Sequence, residues 1–315
     1  MHVYMFPGQS SIDPHMMARA LRINPSGTRT LRSASDILGR DLASQFSGPQ
    51  GAEFSSNRDV QISVFLTTHI HLEALNDRGV TSDFSLGLSL GEFNHLVHIG
   101  ALPFTEALQL VDQRGQLYDA GPRGCMISVF PVELEAVTWA IACARTLGVV
   151  EISNFNTPTQ HVLAGDEAAV LMAAQLLEDE HSARAVMIER NIPMHCSRFS
   201  DVAELFRLHL ESAPWSPTRL AYLPNITGIP IARPCSQDFV RCLTAHVHRP
   251  VQWRSSIEHL AQIHPEAVFV EVGPRNVLYN MLSRRWLKVA RQRTDDEQDP
   301  LATFEGAVES LRNAA

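Results

Sequence analysis

The segment FSLGLSLGEF, residues 84–93, places a lone serine between two glycines in the pattern Gly-x-Ser-x-Gly. An apolar run precedes Ser89 and a helical pattern follows it, which predicts a strand–turn–helix junction. At such a nucleophile elbow the glycines let strand and helix approach closely, and the helix N-terminus offers backbone N–H groups to an oxyanion. The segment therefore predicts a nucleophilic serine, with a glycine-rich turn that does no chemistry as the alternative.

A serine nucleophile needs a base, and the chain contains 14 histidines. His195, in the segment IPMHCS, stands out because a proline marks the exit from a predicted small subdomain, where clefts between lobes form. A buried histidine with structural contacts alone is the alternative. His95 and His98 have an i, i+3 spacing that would suit a metal ion, but no cluster of carboxylates or cysteines completes such a site. We therefore predict no metal.

Secondary-structure patterns position these residues. Residues 3–6 and 84–86 are predicted to be short strands of a larger body, and helices follow them. From residue 125 the order becomes β-α-β-β-α-β, the ferredoxin-like split pattern. We predict an α/β fold: a larger α/β body, residues 1–124 and 191–315, and an inserted ferredoxin-like small subdomain, residues 125–190.

The sequence also predicts the local structure of three further segments. The segment LAYLPNITGIPI, residues 220–231, is predicted to be a strand with a turn. The segment NVLYNMLSRRWLKVA, residues 276–290, is predicted to be a helix. The acidic segment TDDEQDP, residues 294–300, is predicted to be a solvated loop.

Composition excludes several classes of protein. The 315 residues carry a net charge of -8, whereas a nucleic-acid-binding protein is usually basic. No apolar run of about 18 residues predicts a membrane span, and the N-terminal segment has no secretory signal pattern. The five cysteines are an odd number without C-x-x-C spacing, which is typical of a reducing compartment. We predict a cytoplasmic, monomeric enzyme that binds neither nucleic acid nor membrane.

The chain resembles the malonyl-CoA:acyl carrier protein transacylase family, which includes discrete acyltransferases of polyketide assembly lines, nearly from end to end. The blocks that carry the resemblance are FPGQSS at 6–11, GLSLGE at 87–92, RG at 114–115, NFNTP at 154–158, PMHC at 193–196, NITG at 225–228, PVQW at 250–253 and EVGP at 271–274. The resemblance implies a hydrolase-like large subdomain with a parallel sheet core and a ferredoxin-like small subdomain, which agrees with the predicted elements.

The resemblance implies roles for the candidate residues. Ser89 is the nucleophile and His195 is its base, which a backbone carbonyl near Gln252 orients in place of a third acid. The backbone N–H groups of Leu90 and Gln9 form the oxyanion hole, where each donor is worth about 3–4 kcal/mol in the transition state.

Two residues bear on the acyl group. Arg114 follows Ser89 by 25 residues (114 - 89), and the resemblance implies that it binds the free carboxylate of a malonyl group, since a guanidinium matches two carboxylate oxygens. A surface arginine is the alternative. Met194 stands where the family limits acyl branching, which favours malonyl over methylmalonyl. A methionine that merely fills space is the alternative.

The implied reaction is ping-pong and uses no permanently bound cofactor. Malonyl-CoA, the coenzyme A thioester, acylates Ser89, and the phosphopantetheine thiol of an acyl carrier protein then accepts the malonyl group. Because carrier proteins are usually acidic, we predict a basic docking patch centred on Arg284 and Arg285 and extended by Lys288, Arg291 and Arg293. A solvated helix face is the alternative.

The chain departs from the usual family pattern at several positions. Ser10 and Ile12 replace the glycine and glutamine of FPGQGSQ, and Leu88 precedes the nucleophile where histidine is common. These changes bear on the choice of acyl group more than on acyl-serine chemistry. Two other functions stay open: an editing hydrolase of acyl carrier proteins on the same scaffold, and a non-catalytic docking subunit.

Overall fold

The computed structural model describes residues 1–48, 51–283 and 285–313. Its strands are β1 His2–Phe6, β2 Phe84–Gly87, β3 Cys125–Phe130, β4 Val150–Thr157, β5 Gln160–Gly165, β6 Arg184–Glu189, β7 Val268–Glu271 and β8 Ala290–Arg293. Its α-helices are α1 Met16–Ile23, α2 Gly27–Leu38, α3 Leu42–Phe46, α4 Asn57–Asp77, α5 Gly91–Ile99, α6 Phe104–Ala120, α7 Leu134–Ala144, α8 Glu167–His181, α9 Ser200–Ser212, α10 Ser236–His248, α11 Trp253–Ile263, α12 Val277–Met281 and α13 Pro300–Asn313.

One sheet is parallel and forms the centre of the larger body. Its strand order is β2-β1-β7-β8, and every pairing is parallel. Successive side chains of β1 point to opposite faces. Met5 belongs to the apolar cluster that contains Ile257 of α11, whereas Phe6 belongs to the cluster that contains Phe304 of α13. Helices cover both faces, which explains why β1 is apolar from Val3 to Phe6. The predicted parallel core is confirmed.

The second sheet is antiparallel, with the strand order β4-β5-β3-β6. Along the chain its elements run β3-α7-β4-β5-α8-β6, the predicted β-α-β-β-α-β order. Val137 and Ile141 of α7 and Leu177 of α8 pack into a cluster of their own with this sheet. The predicted fold class is confirmed. The assignment of residues 125–190 to a separate subdomain stays a prediction.

The edge strand β4 is tied to the segment that precedes α11. The backbone N–H of Val251 donates to the carbonyl oxygen of Ser153 at 2.8 Å, and the N–H of Phe155 donates to the carbonyl oxygen of Val251 at 3.0 Å. This contact places Asn154 of β4 on the wall of the cavity that also contains Ser89.

The predicted helix over residues 276–290 is wrong. Helix α12 ends at Met281, and the chain returns as β8. Arg291 of β8 donates hydrogen bonds to the carbonyl oxygens of Tyr279 and, at 2.6 Å, of Leu282. These carbonyls at the C-terminal end of α12 therefore have donors without a further helical turn.

Of the strand with a turn predicted over residues 220–231, the turn is present, since the N–H of Gly228 donates to the carbonyl oxygen of Pro224 at 3.1 Å. The predicted strand is wrong, apart from one antiparallel bridge between Tyr222 and Ile231. Pro224 and Pro230 lack a backbone N–H and so cannot donate to a strand ladder. The segment instead directs Asn225, which is 4% exposed, toward the candidate site.

Candidate active site

Ser89 lies in the turn between β2 and α5 in the left-handed region, with a φ of 50°. A residue other than glycine in this conformation is strained. A Cβ on Gly91 would lie 2.1 Å from the carbonyl oxygen of Phe6, and a Cβ on Gly87 would lie 2.0 Å from the carbonyl carbon of Gly91. Only glycine permits this contact between α5 and the sheet. The turn therefore has the geometry of a nucleophile elbow.

Asn225 holds the elbow in place. Its Oδ1 accepts the backbone N–H of Ser89 at 3.0 Å, and its Nδ2 donates to the carbonyl oxygen of Gly87 at 2.7 Å and to Glu92 at 2.8 Å. Asn225 belongs to the NITG block at 225–228, whose sequence alone indicates no role for it. Because Asn225 and Ser89 are 136 residues apart, no local pattern predicts the contact.

His195 reaches Ser89 from the segment between β6 and α9. Its Nε2 lies 2.7 Å from Ser89 Oγ, and its Nδ1 lies 2.6 Å from the carbonyl oxygen of His246. A carbonyl oxygen only accepts, so Nδ1 carries the hydrogen and Nε2 accepts the serine hydroxyl. This is the tautomer that a base for Ser89 requires.

The predicted origin of the orienting carbonyl near Gln252 is wrong. The carbonyl oxygen of Gln252 accepts the N–H and Oγ–H of Ser256, at 3.1 and 3.0 Å, in the first turn of α11. Gln252 does not line the cavity around Ser89 in the described residues. His246 provides the carbonyl instead. Its helical hydrogen-bond partner would be residue 250, which is a proline without an N–H, so the carbonyl is left to accept from His195.

The pKa of the His195 imidazole is lowered well below 6.5. Burial is the main cause, the neighbouring His246 and Arg114 lower the pKa further, and the hydrogen bond to the His246 carbonyl opposes them. His195 is therefore neutral at neutral pH, as a general base must be.

Arg114 on α6 is 1% exposed, which contradicts the alternative of a surface arginine. Its Nη2 lies 3.3 Å from Ser89 Oγ, its Nη1 donates to Gln61 Oε1 at 2.6 Å, and its guanidinium lies 4.3 Å from the ring centroid of Tyr118. In the parts of the chain that the structure describes, Arg114 belongs to none of the ion pairs. A buried cation without a counter-ion is costly, which indicates a binding position for an anion.

Two backbone donors lie next to the serine. Gln9 begins a short 3-10 turn and Leu90 immediately precedes α5. Neither backbone N–H donates to another described residue. The turn before Gln9 packs on the elbow, since a Cβ on Gly8 would lie 2.9 Å from the carbonyl oxygen of Leu88. The role of Gln9 and Leu90 as the oxyanion hole stays a prediction.

Ser89 and His195 open into a cavity of about 790 Å³, within the usual size range of small-molecule sites. Its wall combines Gln9 from the body around the parallel sheet with Met126 and Asn154 from the antiparallel sheet. Met194, next to the base, also lines this cavity and is 4% exposed. Ser89, His195, Gln9 and Met194 thus line one cavity. Arg114 is not among the described residues that line it, and it reaches the site through its Nη2, which lies 3.3 Å from Ser89 Oγ.

The histidines considered for a metal have other partners. His95 uses both ring nitrogens: Nδ1 lies 2.7 Å from Ser85 Oγ, and Nε2 accepts the N–H of Leu223 at 3.0 Å. Residues 1–48, 51–283 and 285–313 contain no group of three or more side chains suited to hold a metal ion. Across the same residues, no helix is both long enough and apolar enough for a membrane span.

Only part of the predicted docking patch lies among the described residues, and its role stays a prediction. Arg284 lies outside the described residues, whereas Arg285 and Lys288 are exposed. Arg291 and Arg293 lie 4.2 and 5.2 Å from the ring centroid of Tyr279, and Arg293 also pairs with Asp296. These two arginines serve internal contacts, because the segment forms β8 rather than an exposed helix.

The fold and the site together define a class: an α/β protein with a serine–histidine pair at a nucleophile elbow, an arrangement for passing acyl groups through a serine ester. Within that class the chain belongs to the acyl transferase domain family, whose model matches residues 3–296.

Individual relatives agree with this assignment. The malonyl CoA-acyl carrier protein transacylase of Haemophilus influenzae is 30% identical over 285 residues, which cover 89% of this chain and 90% of that protein. The crystal structure of FabD from Acinetobacter baumannii matches with a TM-score of 0.90 and 27% identity, covering 100% of this chain and 99% of that one. PlMCAT, the malonyl-transacylase in complex with the type II PKS acyl-carrier protein AntF, matches with a TM-score of 0.88 and 25% identity, covering 97% and 100%. The predicted resemblance is confirmed.

Proposed function

We propose that the chain is a malonyltransferase that moves a malonyl group from coenzyme A to the phosphopantetheine thiol of an acyl carrier protein. Arg114 carries this proposal, because its buried guanidinium has no carboxylate partner among the described residues and lies 3.3 Å from the Ser89 oxygen. The free carboxylate of a malonyl ester on Ser89 would neutralise it, and a neutral acyl group would not. The printed names of the relatives also support malonyl as the acyl group.

The first half-reaction loads the enzyme. Ser89 Oγ attacks the thioester carbonyl carbon of malonyl-CoA while His195 Nε2 takes the hydroxyl proton. The N–H groups of Gln9 and Leu90 bind the oxyanion of the tetrahedral intermediate. The carbon–sulfur bond then breaks, and the departing coenzyme A thiolate takes the proton from His195. The product is a malonyl ester on Ser89.

The second half-reaction runs the same chemistry toward the carrier. The phosphopantetheine thiol gives its proton to His195 and its sulfur attacks the ester carbonyl carbon. The carbon–oxygen bond breaks, and Ser89 Oγ recovers the proton. Met194 beside the base crowds the carbon next to the thioester, which favours malonyl over methylmalonyl.

Intact-mass spectrometry tests this function. The purified enzyme is incubated separately with malonyl-, methylmalonyl- and acetyl-CoA, and then with a carrier protein that bears its phosphopantetheine arm. We expect a malonyl mass gain first on the enzyme and then on the carrier, with smaller gains from the other two thioesters. Absence of any gain on the enzyme contradicts the proposal and favours a non-catalytic docking subunit. Loss of a preloaded acyl group to water, without gain on the carrier, favours the editing hydrolase.

We further propose that the chain acts as a discrete enzyme of polyketide biosynthesis, supported by its similarity to PlMCAT, whose partner AntF is a type II PKS carrier. The thiols of all five cysteines are free, which supports a reducing compartment such as the cytoplasm.

The proposed docking patch is centred on Arg284 and Arg285. Of these two residues, Arg285 lies among the described residues and is exposed. The Arg285→Glu variant should raise the KM for the carrier several-fold while the KM for malonyl-CoA stays constant, because rim charges mainly govern association. Transfer kinetics with one polyketide carrier and one fatty-acid carrier measure both effects. A higher kcat/KM for the fatty-acid carrier contradicts the polyketide role, and an unchanged KM for both carriers contradicts the docking patch.

A further inference from the structure

Glu92, in the first turn of α5, is a buried carboxylate that the mechanism above does not use. It is 0% exposed. Its oxygens accept the hydroxyl of Tyr222 at 2.6 Å, Nδ2 of Asn225 at 2.8 Å and the N–H of Asn225 at 3.3 Å, and Nδ1 of His246 lies 2.9 Å away. No Lys or Arg pairs with it among the described residues. Burying a carboxylate costs free energy of folding, which its hydrogen bonds must offset. The four contacts of Glu92 hold the groups around it in place.

His246 connects Glu92 to the base. The two imidazole rings of His246 and His195 stack with centroids 4.7 Å apart and an interplanar angle of 14°. The backbone carbonyl of His246 also accepts Nδ1 of His195. The Glu92 carboxylate holds Nδ1 of His246, which fixes the rotation of that ring and hence the face that it presents to His195.

The same carboxylate supports the serine. Nδ2 of Asn225 binds Glu92, while Oδ1 of Asn225 binds the backbone N–H of Ser89. Burial and the Glu92 charge raise the pKa of the Tyr222 phenol well above its usual range, so Tyr222 acts as a fixed donor. The Glu92 carboxylate thus contacts both Asn225, which holds Ser89, and His246, which holds His195. Ser89 and His195 are 106 positions apart in the chain.

We propose that Glu92 is a positioning residue for both Ser89 and His195, and that the Glu92–His246 pair does the work of the acid in a three-residue triad. In a triad the acid binds Nδ1 of the base directly. Here a carbonyl occupies Nδ1, and the carboxylate lies behind a second, stacked imidazole. From there it orients the base and offsets the positive charge on His195 when the serine proton arrives. This inference rests on the proposed acyl-transfer function.

The charges around His195 set the direction of the expected pH effects. Arg114 faces it from α6, His246 and His248 from α10, and Ser89 from the elbow, while Glu92 of α5 lies behind His246. His246, Arg114 and His248 all lower the pKa of His195. A negative charge on the Glu92 carboxylate, 2.9 Å from His246 Nδ1, would by its sign favour the protonated form of His195.

The test compares Glu92→Gln with His246→Gln, which keeps the backbone carbonyl and an amide donor for Glu92. Each variant should lower kcat for malonyl transfer about 10- to 100-fold, part of the contribution of a general base. The KM for malonyl-CoA should change little, because neither residue contacts Arg114 in the described structure. In pH profiles of kcat/KM, His246→Gln should move the acid limb to higher pH, and Glu92→Gln should move it to lower pH.

Opposite shifts of the acid limb are a result that simple loss of packing would not produce. The matched control is His209→Gln on α9, a histidine outside the site, which should keep wild-type kinetics. Wild-type kcat with an unshifted acid limb in both variants overturns the inference, as does a loss confined to KM. If Glu92→Gln does not fold, His246→Gln decides alone through its kcat and its upward shift. A wild-type enzyme that transfers no malonyl group refutes the proposed function instead.

Discussion

The Ser89→Ala variant is expected to form no malonyl adduct and to lose about 10⁶-fold in kcat, and His195→Ala is expected to lose nearly as much. A serine hydroxyl is a weak nucleophile until a base takes its proton. The 2.7 Å contact between Ser89 Oγ and His195 Nε2 provides that base, and the His246 carbonyl fixes the required tautomer. Because the two side chains act as one unit, the double variant should be no slower than Ser89→Ala.

Intact-mass spectrometry and steady-state transfer kinetics measure these losses. Ser33→Ala, an exposed serine of α2, is the matched control and should keep full activity. A malonyl adduct that persists in Ser89→Ala would place the nucleophile elsewhere. A double variant far slower than either single variant would show that Ser89 and His195 act independently.

The elbow was predictable because its determinants are local. Residues 84–93 contain the strand end, both glycines and the serine, and the close contacts of Gly87 and Gly91 explain why the spacing is strict. The antiparallel sheet was also predictable, since its elements follow the β-α-β-β-α-β order. In the parallel sheet, β1 and β2 follow the hydrophobic pattern, whereas the edge strand β8 begins at Ala290, inside the segment that was predicted to be a helix.

The residues that hold the site were not predictable in this way. Gln61 and Arg114 are 53 positions apart, and Asn225 and Ser89 are 136 apart, so each contact exists only in the folded chain. The His246 carbonyl did have a local signal. It lies four residues before Pro250, and a helix that ends before a proline leaves such a carbonyl without its helical donor.

For residues 294–300, amino-acid composition alone predicts the wrong degree of burial. Its acidic sequence predicts a solvated loop, yet Thr294 and Asp295 are 0% exposed. Asp295 accepts from Arg19 Nε at 3.1 Å and from Arg19 Nη2 at 2.9 Å, a fork that pays for burial of the charge. Arg19 lies on α1, 276 residues away, so composition alone gives no sign of the pair.

Arg114→Ala is expected to lower kcat/KM for malonyl-CoA by about 10²- to 10³-fold, the cost of leaving a buried carboxylate without its partner. The kcat/KM for acetyl-CoA should stay constant or rise, because acetyl leaves the wild-type guanidinium without an anion. Arg114→Lys keeps the charge but loses the two-pronged donor, so its loss for malonyl should be smaller, roughly tenfold. Arg123→Ala, an exposed arginine at the cavity wall, should leave the malonyl-to-acetyl ratio unchanged.

The measurement with acetyl-CoA distinguishes two roles that the geometry allows for Arg114. Its Nη2 lies 3.3 Å from Ser89 Oγ and therefore also contacts the nucleophile itself. If Arg114 acted through that contact alone, Arg114→Ala would slow both thioesters equally. If it binds the acyl carboxylate, the loss falls on malonyl only, and the ratio of the two kcat/KM values changes by the full 10²- to 10³-fold. Because Gln61 and Tyr118 fix the guanidinium from the sides, we expect the second outcome: the group is held ready for an anion before substrate arrives.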